Sequence, residues 1–145
     1  MPKKRTNPTL TKRRKETIAK QFDPGSFFGR SISWRYCFMD TLKWSAVGQL
    51  DELRKKLVSY ERMTWAEIDG ASKSAEGSKN HFVDVENLCK EAQKRLEALH
   101  LHYNQLYSIA LTGRQRLYGI VDEGVFNILW YDPEHEVYPV TKKHT

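Results

Sequence analysis

The stretch Tyr131 to Pro139, YDPEHEVYP, places Asp132, Glu134, His135 and Tyr138 close together directly after the apolar run VFNILW, residues 125–130. Turn formers such as Asp-Pro ordinarily close a strand with little else to offer. This turn also carries an imidazole, which moves protons near neutral pH, and two carboxylates able to hold that ring in one tautomer. Its tyrosine can stack on a base or orient an anion. The cluster is therefore either polar punctuation or the rim of a working surface. A second pair, His100 and His102, shares a face only on an extended chain and has no third ligand, so no metal site is indicated.

The chain that must position these groups has 145 residues, 39% of them hydrophobic and 12% aromatic, which suits one domain with its own core. Cys37 and Cys89 lack a CxxC or His-rich neighbour, so neither zinc nor a disulfide framework is indicated, and both read as buried thiols. No apolar run approaches the roughly 20 residues that cross a bilayer. The basic N-terminus lacks the apolar stretch of a secretory signal, so a cytoplasmic location without a membrane partner is expected. Within residues 1–20, Lys3, Lys4, Arg5, Lys12, Arg13, Arg14, Lys15 and Lys20 face the single acid Glu16, a net +7 in a chain of net +6. The basicity belongs to a tail expected to be disordered, and each phosphate it neutralises would add affinity for RNA or another polyanion through counterion release.

Hydrophobic periodicity gives the elements. Ile32, Trp34, Tyr36 and Phe38 alternate within residues 31–40, as a first strand requires. Ser45 can cap a helix whose apolar stripe is Val47, Leu50, Leu53, Leu57 and Tyr60. Thr64 and Glu67 have capping-box spacing, predicting a short second helical turn, and residues 69–80 read as a polar loop. A second long helix is predicted from Asp84, with Val85, Leu88, Cys89, Ala92, Leu96 and Leu99 on its apolar face. Three strands follow, over residues 105–111, 116–121 and 125–131, joined at Thr112-Gly113 and at Asp122-Glu123-Gly124. The expected fold is α+β in the order strand, helix, helix, strand, strand, strand, with a mainly antiparallel sheet covered by helices on one face. Residues 1–30 form the tail, 31–140 the domain and 141–145 a short C-terminal extension.

That order, with the wording LYSIALTGRQRLYGIVDEGVFNILWYDPEHEVY over residues 106–138, resembles the RelE/YoeB/ParE toxin superfamily. The resemblance implies a RelE-like toxin that cuts messenger RNA at the ribosome, needs neither metal nor cofactor, and is neutralised by a cognate antitoxin protein. It places Arg116 at the family's phosphate-binding arginine and His135 at the C-terminal histidine that serves some members as the acid for the leaving 5′-oxygen, with Tyr138 able to stack on a base or orient the phosphate. Such cleavage needs a base for the 2′-hydroxyl, a cation for the phosphorane and an acid for the leaving group. Arg114, Lys142 and Lys143 would add backbone contacts. The carboxylate that YoeB-like members carry ahead of the second strand has no counterpart between His100 and Gln105, so the base is unassigned. Two other readings stay open: a non-enzymatic inhibitor resembling ParE, and a small nucleic-acid-associated interaction protein.

Overall fold

The computed structural model describes residues 27–71 and 79–139. The basic residues of positions 1–20, together with Lys142 and Lys143, lie outside the described residues. The elements are β1 (Ser33–Arg35), α1 (Leu50–Glu61), α2 (Trp65–Ala71), β2 (His81–Asp84), α3 (Lys90–Ala98), β3 (Gln105–Ala110), β4 (Arg116–Asp122) and β5 (Val125–Asp132). The fold is α+β, with one five-stranded sheet in the order β1-β5-β4-β3-β2. The pairing of β1 with β5 is parallel and the other three are antiparallel, so the sheet is mixed.

The meander β3–β4–β5 forms where the turn residues place it. Gly113 and Gly124 adopt positive φ, +60° and +87°, and Glu123 joins Gly124 there. Gly124 also receives the indole N–H of Trp65 on its carbonyl at 2.7 Å, which ties α2 to this hairpin. Phe27, on the tail side of the expected boundary at residue 30, is buried in the core. Thr64 and Glu67 close the anticipated capping box: the Thr64 amide donates to Glu67 Oε1 at 2.9 Å and the Glu67 amide to Thr64 Oγ1 at 3.2 Å. Thr64→Ala strands one of these donors and is expected to lower stability by about 1 kcal/mol in urea unfolding.

Several expectations are corrected. An additional strand, β2, occupies residues 81–83, to which no element was assigned, together with Asp84, and the second long helix begins at Lys90 instead of Asp84. Val85 lies in a 3-10 turn, while Leu88 and Cys89 precede the helix, held by bonds from the Val85 amide to the Asn104 carbonyl and from the Cys89 amide to the Val137 carbonyl. The element order therefore gains a strand and separates α3 from α1 and α2. The first strand is confined to three residues, and Tyr36, expected on its inner face, is 55% exposed. Val47 and Leu50 are exposed as well, leaving Leu53 and Leu57 as the buried positions of α1. Cys37 is exposed and Cys89 half-buried, both as free thiols.

Helices cover both faces of the sheet, not one. On the first face Leu53 and Leu57 of α1 and Trp65 and Ile68 of α2 pack with Tyr107, Ile109, Leu117, Val121, Phe126 and Ile128. On the second, Ala92 and Leu96 of α3 pack with Val83, Leu106, Ile120, Leu129 and Trp130. A sheet covered on both sides explains why QLYSIA, RLYGIVD and VFNILWYD read as nearly continuous apolar runs. Tyr118 pairs with Trp130 and Gly119 with Ile128, so Leu129 is an extra residue in β5. At such a bulge the alternation breaks, and Leu129 and Trp130 both turn to the second face.

Asp40 locks α3 to β5. Its buried carboxylate accepts two hydrogen bonds from Arg95, at 2.8 and 2.9 Å, one from the Trp130 indole at 2.9 Å, and those of the Leu42 and Lys43 amides. Burial pushes this carboxyl up, but the bonds from Arg95, Leu42, Trp130 and Lys43 outweigh that and hold it at about 2.

Candidate functional site

Cross-strand register assembles the site on the second face, at the end of the sheet where β4 begins and β5 ends. His81, Ser108, Tyr118 and Trp130 stand opposite one another across β2, β3, β4 and β5. The next row towards the edge is Ala110, Arg116 and Asp132. Residues two apart on a strand share a face, so Arg116 lies on the side of Tyr118, and Asp132 on that of Trp130.

The chain then folds back over this end. Asp132 Oδ2 accepts the Val137 amide at 2.7 Å, Val137 is buried, and its carbonyl takes the Cys89 amide at 2.9 Å. This return carries Tyr138 to His81, their rings 6.2 Å apart in an edge-to-face arrangement. It also sets His135 in the left-handed region, φ +63°, and brings exposed Glu134 to within 3.6 Å of Arg114 in the β3–β4 turn. Arg116 is half-buried and its Nη1 donates to the carbonyls of Gly113 and Gln115 at 2.8 and 2.9 Å. Its strand-mate Asp122 lies at the far end of β4, while Asp132 is its cross-strand neighbour.

Buried polar atoms in folded proteins nearly always find a partner. Among the described residues four buried side-chain polar atoms have none, and three of them are Tyr118 Oη, Asp132 Oδ1 and His135 Nδ1. The Ser108 side chain neighbours the Tyr118 hydroxyl without making a hydrogen bond of good geometry. Burial, and then the charge of Asp132, push the Tyr118 phenol well above its ordinary range, so it stays protonated as a donor. Arg116 opposes that shift and Tyr138 reinforces it, which places all four side chains in one electrostatic neighbourhood.

Other aromatic and histidine side chains of these segments do not join the site. Phe126 and Trp130 are sealed in the core, so neither offers a stacking surface. His102 and Tyr103 line a groove of about 670 Å³ with Asp84, Lys90, Lys94 and Glu97. That groove lies where β3 begins, at the opposite end of the sheet from Arg116. The 100–105 connection therefore supplies nothing to the Arg116 site. Sequence reading passed over His81 and Tyr118. Tyr118 was accessible as the residue two beyond Arg116, on the same face; His81 was hidden because its strand is only four residues long.

Among the described residues no helix is long and apolar enough to cross a membrane. No protein-family model matches the chain, and comparisons with curated proteins and with solved structures return no match.

Proposed function

We propose that this chain is a RelE-like endoribonuclease that holds messenger RNA against the Arg116 end of the sheet, at the ribosome, and cuts it by attack of the 2′-hydroxyl on the adjacent phosphate. The reading is carried by one observation: Arg116, Tyr118, Asp132, His135 and Tyr138 gather at one sheet end, with three buried polar atoms there lacking partners. In this mechanism the Arg116 guanidinium, at the mouth of the cluster, stabilises the phosphorane. His135 gives its proton to the departing 5′-oxygen, and Tyr138 packs against the ribose or base. The basic tail adds sequence-independent attraction. A cognate antitoxin would cover this sheet end.

The test is induced expression with mapping of messenger cleavage, followed by purified protein on RNA free and ribosome-bound. Arg116→Ala is expected to slow cutting by about 10²- to 10³-fold, and His135→Gln by about 10²-fold or more, with thermal midpoints unchanged. Wild-type cutting in both variants would remove these roles. One observation favours the ParE-like alternative: α3 and the C-terminal return cover most of the second face, leaving only its rim open. Growth arrest with intact transcripts and damaged DNA would transfer the assignment to that reading.

A further inference from the structure

The RNA-cleaving reading lacks a base, and the geometry points to His81. We infer that His81 Nε2 accepts the proton of the attacking 2′-hydroxyl; this role rests on the function proposed above.

The first ground is the tautomer. His81 Nδ1 lies 2.9 Å from the Phe82 carbonyl oxygen. A carbonyl can only accept, so Nδ1 carries the hydrogen, and a neutral ring then keeps its lone pair on Nε2. The second ground is placement. His81 shares the second face with Tyr118 and Arg116, two strands across and one row back from the arginine. With strands about 4.8 Å apart and a rise of about 3.4 Å per residue, the two Cα atoms are about 12 Å apart. That span suits a ribose and its phosphate held between the two side chains. The third ground is the surroundings. Tyr138 meets the His81 ring edge-to-face, while Tyr118 and Asp132 lie farther along the same face. His81 itself is only partly buried, so a substrate can reach it.

The step balances without a further reactant. The 2′-O–H bond breaks and its proton goes to His81 Nε2 as the 2′-oxygen bonds to phosphorus. The P–O5′ bond breaks and the 5′-oxygen takes a proton from His135. The products are a 2′,3′-cyclic phosphate and a 5′-hydroxyl, and solvent returns the two histidines to their starting states.

The experiment compares an oligoribonucleotide with one carrying sulfur in place of the bridging 5′-oxygen, each offered free and on programmed ribosomes. Sulfur leaves without a proton, so it rescues loss of the acid but not of the base. His81→Asn keeps an N–H where Nδ1 stands and deletes Nε2. It is expected to cut both substrates about 10²-fold more slowly or worse, with an unchanged thermal midpoint, whereas His135→Gln regains most of its rate on the sulfur substrate. Should the Asn variant be less stable, His81→Ala with added imidazole carries the test, and restored cutting supports the role. Wild-type rates in His81→Asn alongside an inactive Arg116→Ala would overturn it, as would rescue of His81→Asn by sulfur or a failure of imidazole to restore His81→Ala. Wild-type protein that cuts neither substrate would overturn the RNA-cleaving reading itself.

Discussion

Asp40→Ala is expected to destabilise the protein by about 3 kcal/mol, seen as a lower urea midpoint at pH 7. The carboxylate it removes is buried and serves Arg95, Trp130 and two main-chain amides at once. Without it the Trp130 indole N–H is sealed beside β5 with nothing to accept it, while Arg95, 20% exposed, regains water in part. That partial rehydration puts the cost at the lower end of what breaking a buried pair entails. Asp40→Asn retains an acceptor oxygen and should lose less. Because the folded carboxyl sits at about 2, below its ordinary 3.8, its contribution is present in full above the higher value. It falls away as the pH drops through the lower one, a contribution of about 2 kcal/mol. Acid titration of stability should therefore be steeper between these limits in the wild type than in Asp40→Asn.

Gly119→Ala is expected to cost about 3 kcal/mol or more in the same assay. A Cβ at this position would stand 2.4 Å from the Asn127 carbonyl oxygen and 2.6 Å from two ring carbons of Phe126. Neither neighbour can give way. The carbonyl belongs to the adjacent strand, and the fully buried Phe126 ring is backed by Trp34, edge-to-face at 5.5 Å. A larger residue such as valine should prevent β4 and β5 from pairing at all, leaving no cooperative transition.

The meander was legible because its signals are local: glycines at positive φ, and aromatic and branched residues in runs of strand length. The capping box was equally plain, since both partners sit within one turn of chain. What pattern missed is decided by distant contacts. Val85, Leu88 and Cys89 have helical spacing, yet bonds to Asn104 and Val137 hold that segment to the sheet instead. His81–Asp84 offers only two apolar residues, and its strand exists because the outer edge of β3 needs a partner. Beyond it, side chains satisfy the main chain of Ala110, whose amide donates to Asn80 Oδ1 at 2.8 Å and whose carbonyl accepts from Tyr60 at 2.7 Å. Of the candidate site, Arg116, His135 and Tyr138 could be named from the chain. Their convergence with His81 and Tyr118 could not, because it depends on cross-strand register.

That dependence comes down to a single inserted position. Counting by twos from Phe126 and Ile128 would carry Asp132 to the side of the sheet occupied by α1 and α2, away from Arg116. Leu129 resets the count by half a period, so the two ends of β5 obey opposite parity. A chain shortened by that one residue would run from Ile128 straight to Trp130 in unbroken alternation and keep Asp132 beside Arg116, so the insertion defeats a count along the chain without moving the carboxylate.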